Sequence, residues 1–176
     1  MADFATPEQM GQRTQGAIAA THPFLAPELA AATQAIRDYC GWHIAPREEK
    51  TMRRVGPRPG RVWIPAMAIA SIDEVIADGE SLDPLGIEFD PDTGWTSLCA
   101  RSVSMKFTAG FTQVPASLVA LTLELAAGAL GSPIGISREQ AGGVAVTFTR
   151  TSGALLVGPG GADVARLAAY KLGWLP

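Results

Sequence analysis

The chain has 176 residues, of which 47% are hydrophobic and 18% are charged, and its formal net charge is −3. This length suits one domain with a substantial core better than it suits two domains. The acidic balance argues against a regulator that reads DNA sequence, because such proteins carry an overall basic excess.

The first 42 residues are predicted to form two helices. Thr6-Pro7-Glu8-Gln9 has the pattern of a capping box, with Thr6 as the N-cap and Pro7 at the first helical position, so a short helix should follow. A second helix is predicted from apolar residues at helical spacing, and Gly41 suits its left-handed closing residue. Trp42 is expected to fold back on the last turn of this helix. The apolar positions are Leu25, Leu29, Ala32, Ile36 and Tyr39.

Residues 43–111 have a different character, because turn-forming residues recur every few positions between short β-favouring runs. The run 102–108 alternates apolar and polar residues most clearly, as in a half-buried strand. Residues 90–94 are predicted to form a hairpin turn. A small antiparallel sheet or sandwich is therefore expected, with candidate strands at 61–64, 69–76, 86–89, 95–98 and 102–108.

A third helix is predicted over residues 115–131. Pro115 opens it, and Glu124 is the only charged residue from Ala116 to Leu130, so most of its surface must be covered. The apolar stretch carries this charge and is interrupted at residues 131–133, so no membrane span is expected. The N-terminal residues also lack the basic and apolar regions of a secretion signal.

The remaining sequence is predicted to hold less regular structure. Residues 132–161 are expected to form a flexible loop and strand arm, with a loop to Gly143 and one strand over 144–149. A last helix is predicted at about 162–172, followed by the tail to residue 176. The whole pattern predicts an α+β fold in which helices flank a small antiparallel β module.

Residues that could carry chemistry are few and scattered. Cys40 and Cys99 lie outside any CxxC spacing, and both are interpreted as buried thiols. His22 and His43 are the only histidines, which is a poor basis for a zinc site. The glycines at 158–161 precede no GK[ST] segment, and the serines lie in no GxSxG motif. The sequence therefore predicts no catalytic residue, no cofactor and no metal, and the protein is not expected to be an enzyme.

Charge is segregated along the middle of the chain. Residues 62–100 contain no lysine or arginine, yet they hold Asp73, Glu74, Asp78, Glu80, Asp83 and further acids. A basic segment, interpreted as a hairpin, precedes them. One subunit would then present two faces of opposite sign, and head-to-tail contact between copies could close a ring. Contact of the arginines with phosphate is the alternative. The basic residues are Arg47, Lys50, Arg53, Arg54, Arg58 and Arg61.

The four tryptophans, at positions 42, 63, 95 and 174, are interpreted as core or interface anchors. Trp174 and its neighbour Leu175 are the best interface candidates, because a large apolar side chain near a chain end gains little unless it docks. Together with the basic segment, they make up the predicted interface with other subunits or partners.

Residues 35–46, Ala-Ile-Arg-Asp-Tyr-Cys-Gly-Trp-His-Ile-Ala-Pro, resemble the head-to-tail adaptor family of tailed double-stranded DNA phages, of the siphophage and actinophage type. The family also occurs in prophages and gene transfer agents. Later segments agree with this resemblance, which covers essentially the whole chain: Phe-Thr-Ala-Gly-Phe at 107–111, Val-Pro before an alanine-rich helix, Ser-Pro-Ile-Gly at 132–135 and Leu-Ala-Ala-Tyr-Lys-Leu at 167–172. The chain departs from the family at 158–163, where a Thr-Pro-Ala-Glu-like cap is common.

The resemblance implies that residues 1–176 form a single head-to-tail adaptor domain. It implies a dodecameric ring at the head-tail interface of the virion, assembled in the host cytoplasm. The ring would bind the portal protein above and a stopper or tail connector protein below, with DNA passing non-specifically through its lumen. Alternatives are another virion connector, such as a stopper or tail-completion protein, or a small cytosolic protein-binding module.

Overall fold

The computed structural model describes residues 2–131, 138–141, 144–147, 154–156 and 161–173, and of 138–141 and 144–147 it describes the backbone alone. Its architecture is α+β, as predicted. The chain folds into two compact units. One holds Met1–Tyr39 with Pro115–Ala169, and the other holds Cys40–Val114 with Tyr170–Pro176.

The first unit is helical, and its two N-terminal helices begin where the sequence predicts. Helix α1 spans Pro7–Arg13, and the capping box is confirmed: the Thr6 hydroxyl accepts from the Gln9 N–H at 3.3 Å, and the Gln9 side chain accepts from the Thr6 N–H at 2.9 Å. Helix α2 spans Leu25–Cys40. Its predicted apolar face is buried at Leu25, Leu29, Ala32 and Ile36.

Helix α3, Ala116–Gly131, supplies much of the apolar core of this unit. Leu123 and Ala126 pack in one cluster with Met10, Leu25 and Leu29. No helix in the described part of the chain is long and apolar enough to cross a membrane.

The C-terminal elements of the first unit differ in part from the prediction. The strand predicted at 144–149 is confirmed over Val144–Thr147, which is β6. It pairs with β5, Arg138–Ala141, which lies where only a loop was expected. The last helix is shorter than predicted: helix α4 covers Val164–Leu167, and a 3-10 turn covers Ala168–Tyr170.

The second unit contains a four-stranded antiparallel sheet in the order β1-β4-β2-β3. Its strands are β1 Glu48–Trp63, β2 Ile69–Ala77, β3 Glu80–Leu82 and β4 Trp95–Ala109. β1 pairs with β4 from Glu48 opposite Ala109 to Trp63 opposite Trp95. The predicted basic hairpin is therefore wrong, because the basic segment forms one continuous edge strand.

Proline and glycine in the basic segment produce a bulge rather than a turn. The β1-β4 register shifts between Val55 and Gly60, so residues 56–59 stand opposite Arg101 alone. Proline cannot donate a ladder hydrogen bond, but at an edge strand its missing N–H can face away from the sheet. The prolines therefore bend β1 without ending it.

The predicted strands at 95–98 and 102–108 are confirmed but continuous, whereas the predicted strand at 86–89 was wrong. The segments 95–98 and 102–108 belong to the single strand β4. The predicted strand at 86–89 is replaced by a 3-10 turn at Pro84–Gly86 and an isolated bridge between Phe89 and Thr96. The predicted turn at 90–94 is confirmed, since the Gly94 N–H donates to the Asp90 carbonyl at 2.9 Å.

The sheet curls strongly. Trp63 pairs with one end of β4 and Ile69 with the other, at Ala109. A straight strand of this length would span roughly 45 Å, whereas the residues from Trp63 to Ile69 reach at most about 20 Å. β4 must therefore bend back on itself, and the concave side is filled by the buried side chains of Val62, Ile64, Ile72, Val75, Val103, Met105 and Phe107.

Candidate interaction surface

A cluster of arginines lies on the edge strand β1 and its neighbour β4. Arg53, Arg54, Arg58 and Arg61 are exposed along β1, and Arg101 is exposed opposite the bulge. We call these five residues the basic edge. Within the described residues, the side chains of Arg53, Arg54 and Arg58 make no ion pair or hydrogen bond, so their charges remain available to a partner.

Of the other predicted interface residues, Lys50 also lies on β1 but is paired within it. Arg47 precedes β1, and its Nε donates to the Gly110 carbonyl at 3.2 Å. Lys50 Nζ lies 2.7 Å from a Glu48 carboxylate oxygen. Trp174 and Leu175 lie outside the described residues. The structure therefore brings together only the later part of the predicted basic segment.

Arg101 belongs to the basic edge but is absent from the sequence prediction. Its Nε donates to the Gly56 carbonyl at 3.3 Å, which holds the bulge against β4. The Asp78 carboxylate accepts from the backbone N–H groups of Arg101 and Ser102, at 3.1 and 2.7 Å. Arg101 lies far from the other four arginines in the sequence. The pairing of β4 with β1 brings it next to them in the fold.

A shallow groove runs beside the bulge. Val55 and Pro59 form its apolar wall, and Val55 is 68% exposed. Asp78 and Gly79, which turn the chain from β2 to β3, line it together with Arg101 and Ser102. This surface is a shallow depression in which the apolar groups of Val55 and Pro59 lie beside the charged side chains of Arg101 and Asp78.

Acidic side chains collect toward the opposite edge of the sheet. Asp73 and Glu74 lie on β2, Glu80 begins β3 and Asp83 follows it, and all four are exposed. We call these residues the acidic edge. The Glu74 carboxylate accepts from Lys106 at 2.8 Å, and this hydrogen bond raises the pKa of Lys106 above its usual value. The strand order therefore places opposite charge at the two edges.

An exposed aliphatic side chain, Leu85, lies next to the acidic edge. Leu85 is 94% exposed, at the centre of the 3-10 turn. The Asp83 carboxylate accepts from the Leu85 N–H at 3.0 Å, and the Ile87 N–H donates to the Pro84 carbonyl at 3.1 Å. These bonds hold Leu85 in a defined position.

The prediction of two buried thiols needs correction in part. Cys40 is buried as expected, and burial raises the pKa of its thiol to about 11, but Cys99 is exposed on β4. The Trp42 indole donates to the Tyr170 carbonyl, and its ring lies beside Phe111.

A second groove in this unit is lined by aromatic side chains. Trp63 and Trp95 lie beside Met67 and Leu172, and the Trp63 indole donates to the Thr93 carbonyl at 2.7 Å. In the parts of the chain that the structure describes, no three His, Cys, Asp or Glu side chains are grouped so as to hold a metal ion.

The comparisons with known proteins show the fold. No protein-family model matches the sequence, and no curated protein matches it. Among solved structures, the neck of an empty GTA (gene transfer agent) particle, computed with C6 symmetry, contains a chain 14% identical, with a TM-score of 0.58 over 98% of this chain and 92% of that one. The neck of a native GTA particle, computed with C12 symmetry, gives 16% identity and a TM-score of 0.58 over 98% and 91%. This chain therefore shares the fold of a neck subunit.

Proposed function

We propose that this protein is a non-enzymatic virion subunit that forms a ring between the capsid portal and the tail or stopper, with a lumen through which DNA passes. The observation that carries the proposal is the shared fold, which extends over 98% of this chain and more than nine-tenths of the neck chains. The likeness therefore extends over nearly the whole length of both chains compared.

The distribution of charge supports the ring. A contact between two different surfaces generates either a closed ring or an open filament, and complementary charge sets its register. The sheet order places the basic edge on β1 and the acidic edge toward β3. Copies meeting edge to edge would pair opposite charges, whereas a two-fold contact through the basic edge would oppose like charges.

The partners in the proposal are the portal protein, a stopper or tail connector protein and further copies of this chain, in a dodecamer at the head-tail interface. The twelve-fold symmetry of one similar neck supports this number. The net charge of −3 suits a channel that must release DNA. Assembly would take place in the host cytoplasm, with no membrane and no cofactor involved.

The decisive experiment measures the mass of the purified chain by light scattering and images it by negative-stain microscopy, alone and with portal protein from the same genome. Rings, or a collar on the portal, support the proposal. A strict monomer that ignores portal at low and moderate salt contradicts it and leaves the cytosolic binding module. Binding only to the lower face of an adaptor-portal complex would instead identify a stopper.

Charge variants test whether the basic edge acts in assembly. Arg53→Gln with Arg54→Gln should weaken ring formation about tenfold at low salt, because exposed arginines steer and orient association. Gln12→Glu with Gln113→Glu changes the net charge equally at exposed positions and should leave assembly unchanged. Equal effects of the two pairs would show that net charge alone is responsible.

The same variants separate protein contact from phosphate contact. If the arginines bind DNA, Arg53→Gln with Arg54→Gln weakens binding to a short duplex and lowers its dependence on salt. If they contact the next subunit, ring formation changes and DNA affinity does not. Fluorescence anisotropy with a labelled duplex over a salt series distinguishes these outcomes.

A further inference from the structure

Leu85 has features that distinguish it from an ordinary exposed leucine. Single exposed apolar residues are common and need no explanation. Leu85, however, is 94% exposed on a turn whose backbone is fixed by the Asp83 side chain and by the hydrogen bond from Ile87. Because Pro84 restricts the turn further, little conformational entropy would be lost when Leu85 is buried by a partner.

The groove beside Val55 offers exposed apolar side chains with arginines nearby, which are the properties that would complement Leu85 and its acidic neighbours. Val55 is 68% exposed and lies next to Pro59, so a second apolar surface is uncovered on the other edge of the same sheet. Arg101 and Asp78 line the groove, and Arg54 and Arg58 are the neighbours along β1 of its lining residues Val55 and Pro59. An apolar side chain flanked by carboxylates would find both an apolar wall and counter-charges there.

We propose that Leu85 of one copy docks in the groove formed by Val55, Pro59 and Arg101 of the next copy. Asp83, which accepts from the Leu85 N–H, and Glu80 at the start of β3 would then face the arginines of the basic edge. This inference rests on the proposed ring and names the contact between its subunits. The occupant is a second copy of this chain because the acidic edge matches the groove in charge and carries the exposed leucine.

The proposed contact joins two different surfaces of neighbouring copies, so cross-linking should give a pattern that a two-fold contact would not give. Cys99→Ala first removes the exposed native thiol, and Cys40 is buried. In that background Val55→Cys and Leu85→Cys are combined in one chain and treated with a short bismaleimide. A head-to-tail contact links each copy to the next, so a ladder of covalent multimers up to the ring size is expected.

Three controls accompany the double variant. Each single variant should stay uncross-linked, and an equimolar mixture of the two should stop at dimers. Gln113→Cys combined with Leu85→Cys places the first thiol at another exposed site and should give no ladder. Dimers from Leu85→Cys alone would show a two-fold contact and overturn the proposal.

A substitution without cross-linking gives an independent measurement. Leu85→Ala should weaken ring assembly about tenfold, since the buried aliphatic area is lost. It should leave the urea midpoint of unfolding unchanged, because the side chain touches little in the free subunit. If Leu85→Ala forms rings normally and the variant with Val55→Cys and Leu85→Cys gives no ladder, this contact is overturned but the proposed function stands. A chain that never forms rings, alone or on portal, overturns the proposed function itself.

Discussion

The indole Nε1 of Trp42 donates a hydrogen bond to the carbonyl oxygen of Tyr170 at 2.6 Å. Trp42 follows α2, and Tyr170 ends the last 3-10 turn, so this bond joins distant parts of the chain within one unit. Phe111 lies between them, with its ring centroid 6.0 Å from each aromatic ring. The Leu172 N–H also donates to the Cys40 carbonyl at 3.0 Å. These contacts hold Tyr170 and Leu172 against Cys40, Trp42 and Phe111.

Trp42→Phe should lower the free energy of unfolding by about 1–2 kcal/mol, because it removes this hydrogen bond and part of a buried ring. Trp63→Phe is the matched control, since the Trp63 indole also donates to a carbonyl but its side chain is only partly buried. Urea unfolding followed by circular dichroism measures both variants. Equal losses would contradict a special contribution of the Trp42 bond.

Gly94→Ala should destabilise the protein severely, by about 3 kcal/mol or more. Gly94 has a φ of +77° in the 90–94 turn, and a Cβ atom there would collide with the backbone carbonyl of Ile64. Gly79→Ala shares the left-handed backbone, with a φ of +93°, but has open space around it. It should cost only about 1–2 kcal/mol. The melting temperatures of the two variants distinguish a steric collision from backbone strain alone. Similar melting temperatures would contradict a collision between the added Cβ and the Ile64 carbonyl.

Glu124 binds two arginines of the helical unit. Its carboxylate lies 3.1 Å from Arg13 and 2.6 Å from Arg166, and its hydrogen bond with Arg166 raises the pKa of that guanidinium. Glu124→Gln should lower the free energy of unfolding by about 1 kcal/mol in low salt and by less in 1 M salt, since both pairs are partly exposed.

A double-mutant cycle with Arg166→Gln gives the coupling between these two side chains. We expect about 0.5 kcal/mol, which is the range for surface ion pairs. The measurement is urea unfolding of the four proteins in the cycle at two salt concentrations. Zero coupling, or a coupling that grows with salt, would show that the ion pair does not stabilise the unit.

The two cysteines should differ in reactivity. At pH 8 the buried Cys40 thiol, with its pKa raised to about 11, should react slowly with Ellman's reagent, whereas the exposed Cys99 should react at once. Cys99→Ala should remove the fast phase, and denaturant should expose both thiols. Two fast thiols in the native protein would contradict the burial of Cys40.

The sequence by itself determined the first three helices and their approximate boundaries, but not the length of the last helix. The capping box at Thr6, the apolar spacing of α2 and the uncharged stretch of α3 are local patterns, in which interacting residues lie within one or two helical turns. The α+β class and the turn at 90–94 follow from the same kind of short-range information. The segregation of basic and acidic residues along the chain was also visible.

Only the tertiary structure decided how those charges are arranged in space. Whether Pro57 and Pro59 turn the chain or bulge it depends on β4, because the partner strand lies some forty residues away and its ladder keeps β1 extended. The same pairing brings Arg101 to the basic edge, exposes Cys99 and leaves Leu85 uncovered. Strand pairing is a contact between distant residues, so local patterns carry little information about it. For that reason the sequence identified four arginines of the basic edge, whereas Arg101, the groove and the exposure of Leu85 required the folded sheet.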